Sequence, residues 1–299
     1  MSFSELATPS ATRSVLERHG VEAKHRLGQN FLVDDNVVGR ILELAGLEGG
    51  ESAPDRDGSL PTLLEIGPGI GTLTVALLRH ADVVAVERDP DLVPALRETT
   101  PGHAGRMELV EKDALDVGAE DVERACERLG AELPCMLVAN LPYQIAATVV
   151  LDWFSRFEFL DTMVVMVQSE VADRMCATPG TKDYGAYTVK LSLYARLAGR
   201  FQVAPGCFMP APHVTSSVIR LERAPCDDET LRTRACELAD ASFAMRRKTI
   251  RNSLKSRYDA TSVDALLSAC GVEPTCRGET LAPGEYLRLA RAFEDLELG

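Results

Sequence analysis

The turn Asn140-Leu141-Pro142-Tyr143 puts a side-chain amide, a rigid proline and an aromatic ring within four residues. Pro142 fixes its own φ and biases Leu141 toward an extended shape, so the turn is stiff. A stiff turn can aim the Asn140 side-chain oxygen and a backbone carbonyl at one point. Two acceptors there would bind both hydrogens of an aryl amine and draw its lone pair out of conjugation. No strong general base is then needed, because the proton becomes acidic once an alkyl group has transferred. Most of the rate would come from in-line alignment of the reacting atoms. Tyr143 offers a face on which a base stacks, and Phe208, in Phe208-x-Pro210-x-Pro212, brings a second ring held by prolines. Stacking a base on an aromatic is worth about 1–3 kcal/mol, comparable to the few kcal/mol that unstacking it costs. Together the two motifs suit alkylation of an exocyclic amine on a flipped nucleobase. Either alone also reads as a turn with core aromatics.

The donor is suggested by Glu65-x-Gly67-x-Gly69-x-Gly71, where a strand turns into a helix. Missing Cβ atoms let the backbone turn tightly and approach a ligand. Dinucleotide sites space their glycines Gly-x-Gly-x-x-Gly; here the third glycine comes one residue early and Thr72 occupies its place. Glu65 would repel a pyrophosphate but suits the zwitterionic amino acid end of S-adenosylmethionine, which leaves as S-adenosylhomocysteine. Glu87, 20 residues after Gly67, ends the next strand and can accept from both ribose hydroxyls. Asp113, after the third strand and beside Ala114, is placed to accept from an adenine amino group. Each carboxylate alone reads equally well as a helix N-cap.

The elements that must position these residues are strand candidates at Thr62–Ile66, Asp82–Glu87, Met107–Glu111, Cys135–Ala139, Thr162–Val167 and Ser216–Leu221. Helical patterns at Val37–Leu47, Thr72–His80, Pro90–Glu98, Asp121–Leu129 and Ile145–Phe154 precede or alternate with them. Such alternation predicts an α/β fold, a Rossmann-like, doubly wound parallel sheet with helices on both faces. Residues 1–14, rich in Ser and Thr, are expected to be disordered, and 49–61 to form a loop. A polar linker from Arg223 to Thr230 divides a domain over 15–224 from a small all-helical one over 225–299, with helices at Leu231–Ala244, Lys248–Ser256, Ser262–Cys270 and Pro283–Leu296.

Composition bounds the partners. Of the 299 residues 45% are apolar, enough for two cores, and no apolar run reaches membrane-spanning length. The first twenty residues lack the apolar stretch of a secretory signal. Eight scattered cysteines with no Cys-x-x-Cys pair argue against a zinc site or a disulfide framework and fit a reducing cytoplasm. A net charge of −13 is awkward for a nucleic-acid partner, but six basic residues and no acidic one lie between Arg246 and Arg257. Arg18, Lys24 and Arg26 form a second basic group near the N-terminus.

Several stretches together resemble the ribosomal RNA adenine N6,N6-dimethyltransferases, specifically the bacterial small-subunit enzymes. They are Leu27-Gly-Gln-Asn-Phe-Leu32, the Glu65 glycine motif, the Asn140 turn, Val167-Gln-Ser-Glu-Val-Ala-Asp-Arg174 and the Phe208 motif. The most specific lie in the helical region: Ser242-Phe-Ala-Met-Arg-Arg-Lys-Thr-Ile-Arg-Asn-Ser-Leu254 and Arg277-Gly-Glu-Thr-Leu281. The resemblance implies a class I methyltransferase fold and two methyl groups on each of two adjacent adenosines in the 3′-terminal hairpin of small-subunit (16S) RNA. The RNA partner would sit within an immature small subunit, where methylation serves maturation; no metal, no membrane and a monomer are implied. By position, Gln29, Asn30 and Leu32 would join Gly67, Gly69, Gly71, Glu65, Glu87, Asp113, Ala114 and Asn140 around the cofactor. Asn140, Leu141, Tyr143 and Phe208 would hold the adenine, and Arg246, Arg247, Lys248 and Arg251 would belong to an RNA-binding surface. The chain departs from the family in Gln144-Ile-Ala-Ala147 and Tyr184-Gly-Ala-Tyr-Thr188, which border the site.

Three competing readings are a large-subunit adenosine methyltransferase of the macrolide-resistance kind, a non-catalytic ribosome-assembly factor and a nicotinamide oxidoreductase. The Arg246–Asn252 segment and the Arg277 motif favour the small subunit over the first. The intact Asn140 turn argues against the second, and the glycine spacing against the third.

Overall fold

A computed structural model describes residues 2–24, 27–47, 60–103, 105–245 and 247–296. Arg26, Arg246 and most of the expected loop, 49–59, lie outside the described residues. The chain divides into two compact units, Met1–Ala172 with Leu197–Arg223, and Asp173–Arg196 with Ala224–Gly299.

The first unit is built on a seven-stranded sheet. Its strands are β2 (Thr62–Ile66), β3 (Asp82–Val86), β4 (Met107–Val110), β5 (Met136–Asn140), β6 (Thr162–Gln168), β7 (Ala195–Val203) and β9 (Ser216–Arg223). A two-residue β1 (Phe31–Leu32) pairs antiparallel with β8 (Phe208–Met209) as a separate ribbon. The order in the sheet is β4-β3-β2-β5-β6-β9-β7, with β4 through β6 parallel. Strands that are covered on both faces read as continuous apolar runs: all five residues of β2 and six of the seven in β6 are buried. Between β2 and β5 the chain order reverses, since β3 and β4 add on one side and β6 on the other. That switch point opens a crevice at the carboxyl ends of both strands.

The doubly wound parallel sheet that the alternation predicts is present from β4 to β6, and beyond it β9 runs antiparallel to β6. A strand's composition does not encode its direction, and β7, whose middle is largely exposed, had no apolar run to announce it.

Helices α1 (Pro9–His19), α2 (Asp35–Ala45), α3 (Thr74–Leu77), α4 (Val93–Thr99), α5 (Ala119–Leu129) and α6 (Ala146–Arg156) belong to this unit. The disorder expected for residues 1–14 is corrected. Thr8 caps α1 by accepting from the Ala11 amide, Pro9 begins it and Gly20 ends it in the left-handed region at φ 62°. Val15 and Leu16 pack with Phe31, Ile70 and Leu92, and the Ser4 amide donates to Asp35 at 2.7 Å. Two apolar residues on one stripe and a good cap outweighed the polar composition.

Helix α7 (Ser169–Met175) runs from the first unit into the second. The second unit is helical: α8 (Ala186–Tyr194), α9 (Glu229–Phe243), α10 (Ile250–Leu254), α11 (Ala260–Ala269) and α12 (Pro283–Asp295). An expected division at residue 224 alone is too simple, because 173–196 belong with the helices that follow. Tyr184, Val189 and Leu193 share a core with Leu238, Ile250 and Tyr286, and the buried Tyr184 hydroxyl donates to the Leu281 carbonyl at 2.7 Å. Among the described residues no helix is long and apolar enough to cross a membrane.

Candidate cofactor pocket and catalytic turn

A deep concavity of the first unit lies at the carboxyl ends of β2 to β5. It encloses about 1070 Å³, open solvent at its mouth included. Its walls come from residues 27–32, 65–69, 86–88, 112–114 and 140–145, with Thr72, Leu73 and Leu92. Every residue expected around the cofactor lines it except Gly71.

The glycine turn follows from backbone geometry. Gly67, Gly69 and Gly71 have φ of 69°, 62° and 87°, a region L residues rarely occupy, so the alternate spacing is set by the turn itself. A Cβ on Gly71 would stand 2.9 Å from Thr99 Oγ1 and 3.1 Å from Leu96 Cδ1. Gly71 therefore admits α4 against the turn and does not face the ligand, as the third glycine of a Rossmann turn serves close packing.

Glu65 is 1% exposed, and its Oε2 has no hydrogen-bond partner among the described residues. Burial pushes its carboxyl up from 4.5 to about 8, and the Glu87 charge adds to the rise. A buried carboxylate oxygen without a partner, edging a cavity, is what a ligand ammonium would satisfy. Glu87 follows β3 and accepts from the Gly69 amide at 3.2 Å and the Asp89 amide at 2.8 Å. These bonds hold it in one orientation and leave lone pairs for ribose hydroxyls; burial raises its pKa. Asp113 lines the far end, where its Oδ1 accepts from the Leu115 amide and its Oδ2 pairs with Arg88 at 2.8 Å.

Asn140 ends β5. Its Nδ2 donates to the Asn30 carbonyl at 3.2 Å, which commits the amide and frees Oδ1 to accept. The Leu141 amide donates to the Met166 carbonyl at 3.2 Å. The Pro142 carbonyl accepts from the Ile145 and Ala146 amides, so the turn runs straight into α6. Tyr143 Oη lies 2.6 Å from Oγ of Ser216, the first residue of β9, and burial raises the phenol's pKa. A Cβ on Gly67 would come 3.6 Å from Pro142, so the glycine turn and the Asn140 turn touch.

Phe208 is placed differently from the expectation. It is 4% exposed, packs with Leu32, Val38 and Val203 and is absent from the cavity wall. The alternative reading, a core aromatic, describes it here. Its strand β8 nonetheless borders the pocket through β1, because Leu32 is its register partner.

In the second unit Arg247 and Lys248 are exposed, while Arg251 is held by Asp264 through two bonds of 2.5 and 2.6 Å. The described members of the N-terminal basic group, Arg18 and Lys24, are paired within the first unit. Arg18 and His19 contact Glu98 at 2.5 Å each, and Lys24 contacts Asp89 and Asp91 at 2.6 Å each. Pairings such as Lys24 with Asp89 and Tyr143 with Ser216 join residues distant in sequence. Among the described residues no cluster of His, Cys, Asp or Glu is arranged to hold a metal ion.

A doubly wound sheet with a glycine turn, a buried acid after β3 and a polar turn after β5 defines a class I methyltransferase. The crystal structure of the 23S rRNA methyltransferase ErmE is similar at a TM-score of 0.63 and 27% identity, over 89% of this chain and all of that one. A dimethyladenosine transferase from Plasmodium falciparum shares the fold at a TM-score of 0.72 and 21% identity, over 90% of this chain and 98% of that one. The chain belongs to the ribosomal RNA adenine dimethylase family, whose model matches residues 20–295. It is 42% identical to the ribosomal RNA small subunit methyltransferase A of Leifsonia xyli subsp. xyli, over 97% of this chain and 99% of that protein. The protein of the same name from Nocardia farcinica is 41% identical over 95% of this chain and 94% of its own length.

Proposed function

We propose that this chain places two methyl groups on each of two adjacent adenosines in the 3′-terminal hairpin of 16S RNA, within an immature small subunit. It acts as a cytoplasmic monomer, as a step in maturation of that subunit. The family makes it an S-adenosylmethionine-dependent rRNA adenine dimethyltransferase, and small-subunit relatives near 40% identity support the target. S-adenosylmethionine supplies an electrophilic methyl on sulfur when bound.

The residues present fit that cofactor. Glu65 offers a buried carboxyl with one unpartnered oxygen for its ammonium, and Glu87 a fixed carboxylate for its ribose. Asp113 and Ala114 flank the adenine end, and Gln29, Asn30 and Leu32 close the side opposite the glycine turn. Leu141 and Tyr143 hold the adenine. Phe208 supports that place from behind β1, and residues 225–299, with Arg246, Arg247, Lys248 and Arg251, serve RNA binding.

The orientation of Asn140 carries this reading. With Nδ2 committed to Asn30, Oδ1 accepts one hydrogen of the adenine amine and a turn carbonyl the other, which localises the nitrogen lone pair toward the donor. After the first transfer one N–H remains, so one acceptor must then tolerate a methyl group. The rigid Pro142 turn keeps the nitrogen in line through both transfers.

Labelled S-adenosylmethionine incubated with undermethylated small subunits, large subunits and free RNA tests this. Dimethyladenosine on the small subunit, lost in Asn140→Ala, is expected. Label on large-subunit RNA would reassign the target, and none anywhere would leave only a binding role.

A further inference from the structure

Residues 27–32 form one wall of the cavity, yet they precede the sheet and must be held against it. Besides the packing of Phe31 on Ile70 and Leu92, three hydrogen-bonded attachments among the described residues do so. Strand β1 pairs with β8, and the Asn30 carbonyl accepts from Asn140. The third, Asp89, is the only one built on a charge. It is 2% exposed and accepts from Lys24 Nζ at 2.6 Å, Gln29 Nε2 at 2.7 Å and the Asp91 amide at 3.2 Å. Gln29 in turn accepts from the Lys24 amide at 2.8 Å, so strap and carboxylate are joined in a closed ring of bonds. The Asp89 amide donates to Glu87 Oε1 at 2.8 Å. One residue thus fastens the strap on one side of the cavity and orients a carboxylate on another.

A buried carboxylate without partners is costly, and charge-assisted hydrogen bonds are the strong ones. Opening the strap would remove two of the three donors to Asp89, which biases the segment toward closure. On the reading of this cavity as the S-adenosylmethionine pocket, we infer that Asp89 is a positioning residue for cofactor binding. Through Lys24 and Gln29 it holds residues 27–32 closed, and through its own amide it aims Glu87. Asp89 takes no part in methyl transfer, so its loss affects affinity and leaves the turnover of the saturated enzyme alone.

The test is Asp89→Asn in the full chain. The new amide keeps the shape but has a single oxygen: with that oxygen toward Lys24 and the Asp91 amide, its NH2 meets Gln29 Nε2, also a donor, so the charge and the bond to the strap are lost together. S-adenosylhomocysteine affinity by calorimetry should fall about tenfold. KM for S-adenosylmethionine should rise in parallel while kcat at saturation stays within about twofold. Amide exchange should quicken in 29–32 before elsewhere. Lys24→Met should show a smaller effect of the same kind. Adding Gln29→Glu to Asp89→Asn returns a carboxylate to the ring and should recover part of the affinity. Unchanged affinity in Asp89→Asn overturns the inference. So does a loss accompanied by faster exchange throughout the sheet, which would make Asp89 a fold-stabilising residue only. If S-adenosylhomocysteine fails to protect 65–69 and 140–144 in the unaltered protein, the pocket assignment itself falls, which the variant results alone would not show.

Discussion

Glu65→Gln should stabilise the ligand-free protein and weaken its cofactor binding, two effects of opposite sign from one carboxyl. In the folded state the group titrates near 8, against 4.5 ordinarily. A carboxyl raised in this way contributes stability that is fully present below 4.5 and lost as pH climbs through 8. Each tenfold in proton activity between those limits is worth about 1.36 kcal/mol. The stability difference between variant and parent should therefore shift by about 4 kcal/mol in the variant's favour from pH 4.5 to pH 8. Whatever the glutamine amide itself costs in the same place cancels from that change. Burial also raises Glu87, so the variant keeps a shallower slope of the same sign. Urea denaturation of ligand-free protein at several pH values reads the first effect, and calorimetry with S-adenosylhomocysteine reads the second. Because the ligand ammonium favours the ionised carboxyl, binding near pH 7 should also release protons in the parent and fewer in the variant. Parallel pH–stability curves for the two proteins would refute the burial argument. Unchanged affinity would refute the assignment of Glu65 to the ammonium.

Further outcomes follow from other parts of the molecule. Asn140→Ala should lower kcat by about 100-fold or more, by analogy with removal of one group that stabilises a transition state, measured by single-turnover methyl transfer. Gly71→Val meets both a φ of 87° and a contact at 2.9 Å, so it should cost about 3 kcal/mol or more in urea unfolding. Arg247→Glu should weaken RNA binding while leaving S-adenosylhomocysteine binding intact, with a log–log salt slope shallower by about 1. Equal losses in both titrations would point to a damaged fold. Asp264→Asn frees Arg251 from its ion pair and should tighten RNA binding in a filter assay at low salt.

The glycine turn, Glu87, Asp113 and the Asn140 turn were legible because each sits at the end of an apolar strand, and strands announce themselves by composition. Thr62–Ile66 is found where it was read, and the other ends differ by a residue or two. Less visible was anything fixed by tertiary partners. Residues 195–203 form an edge strand without an apolar run, and α1 is held by Val15 and Leu16 meeting a distant Phe31. Gly71 reads as a ligand glycine in sequence, because only the position of Thr99 reveals its packing role. Phe208 shows the same limit: a ring between prolines can stack on a base or fill a core, and here it lies against Leu32 and Val203. The basic group at Arg18 and Lys24 looked available for RNA until the acids that engage it, Glu98, Asp89 and Asp91, were brought near by folding.

Strand β9 runs against its neighbour, so its first residue rather than its last lies at the carboxyl edge of the parallel strands. That residue, Ser216, meets Tyr143. The preceding segment, 210–215, is consequently moored at both ends, by β8 on β1 and by β9 on β6. Residues 211 and 213–215 are exposed between those moorings. Insertions or exchanges there need not disturb the glycine turn, Glu87 or Asn140. The architecture thus separates the methyl-donor side, set by the ends of the parallel strands, from an exposed margin whose course is fixed only at its two moorings.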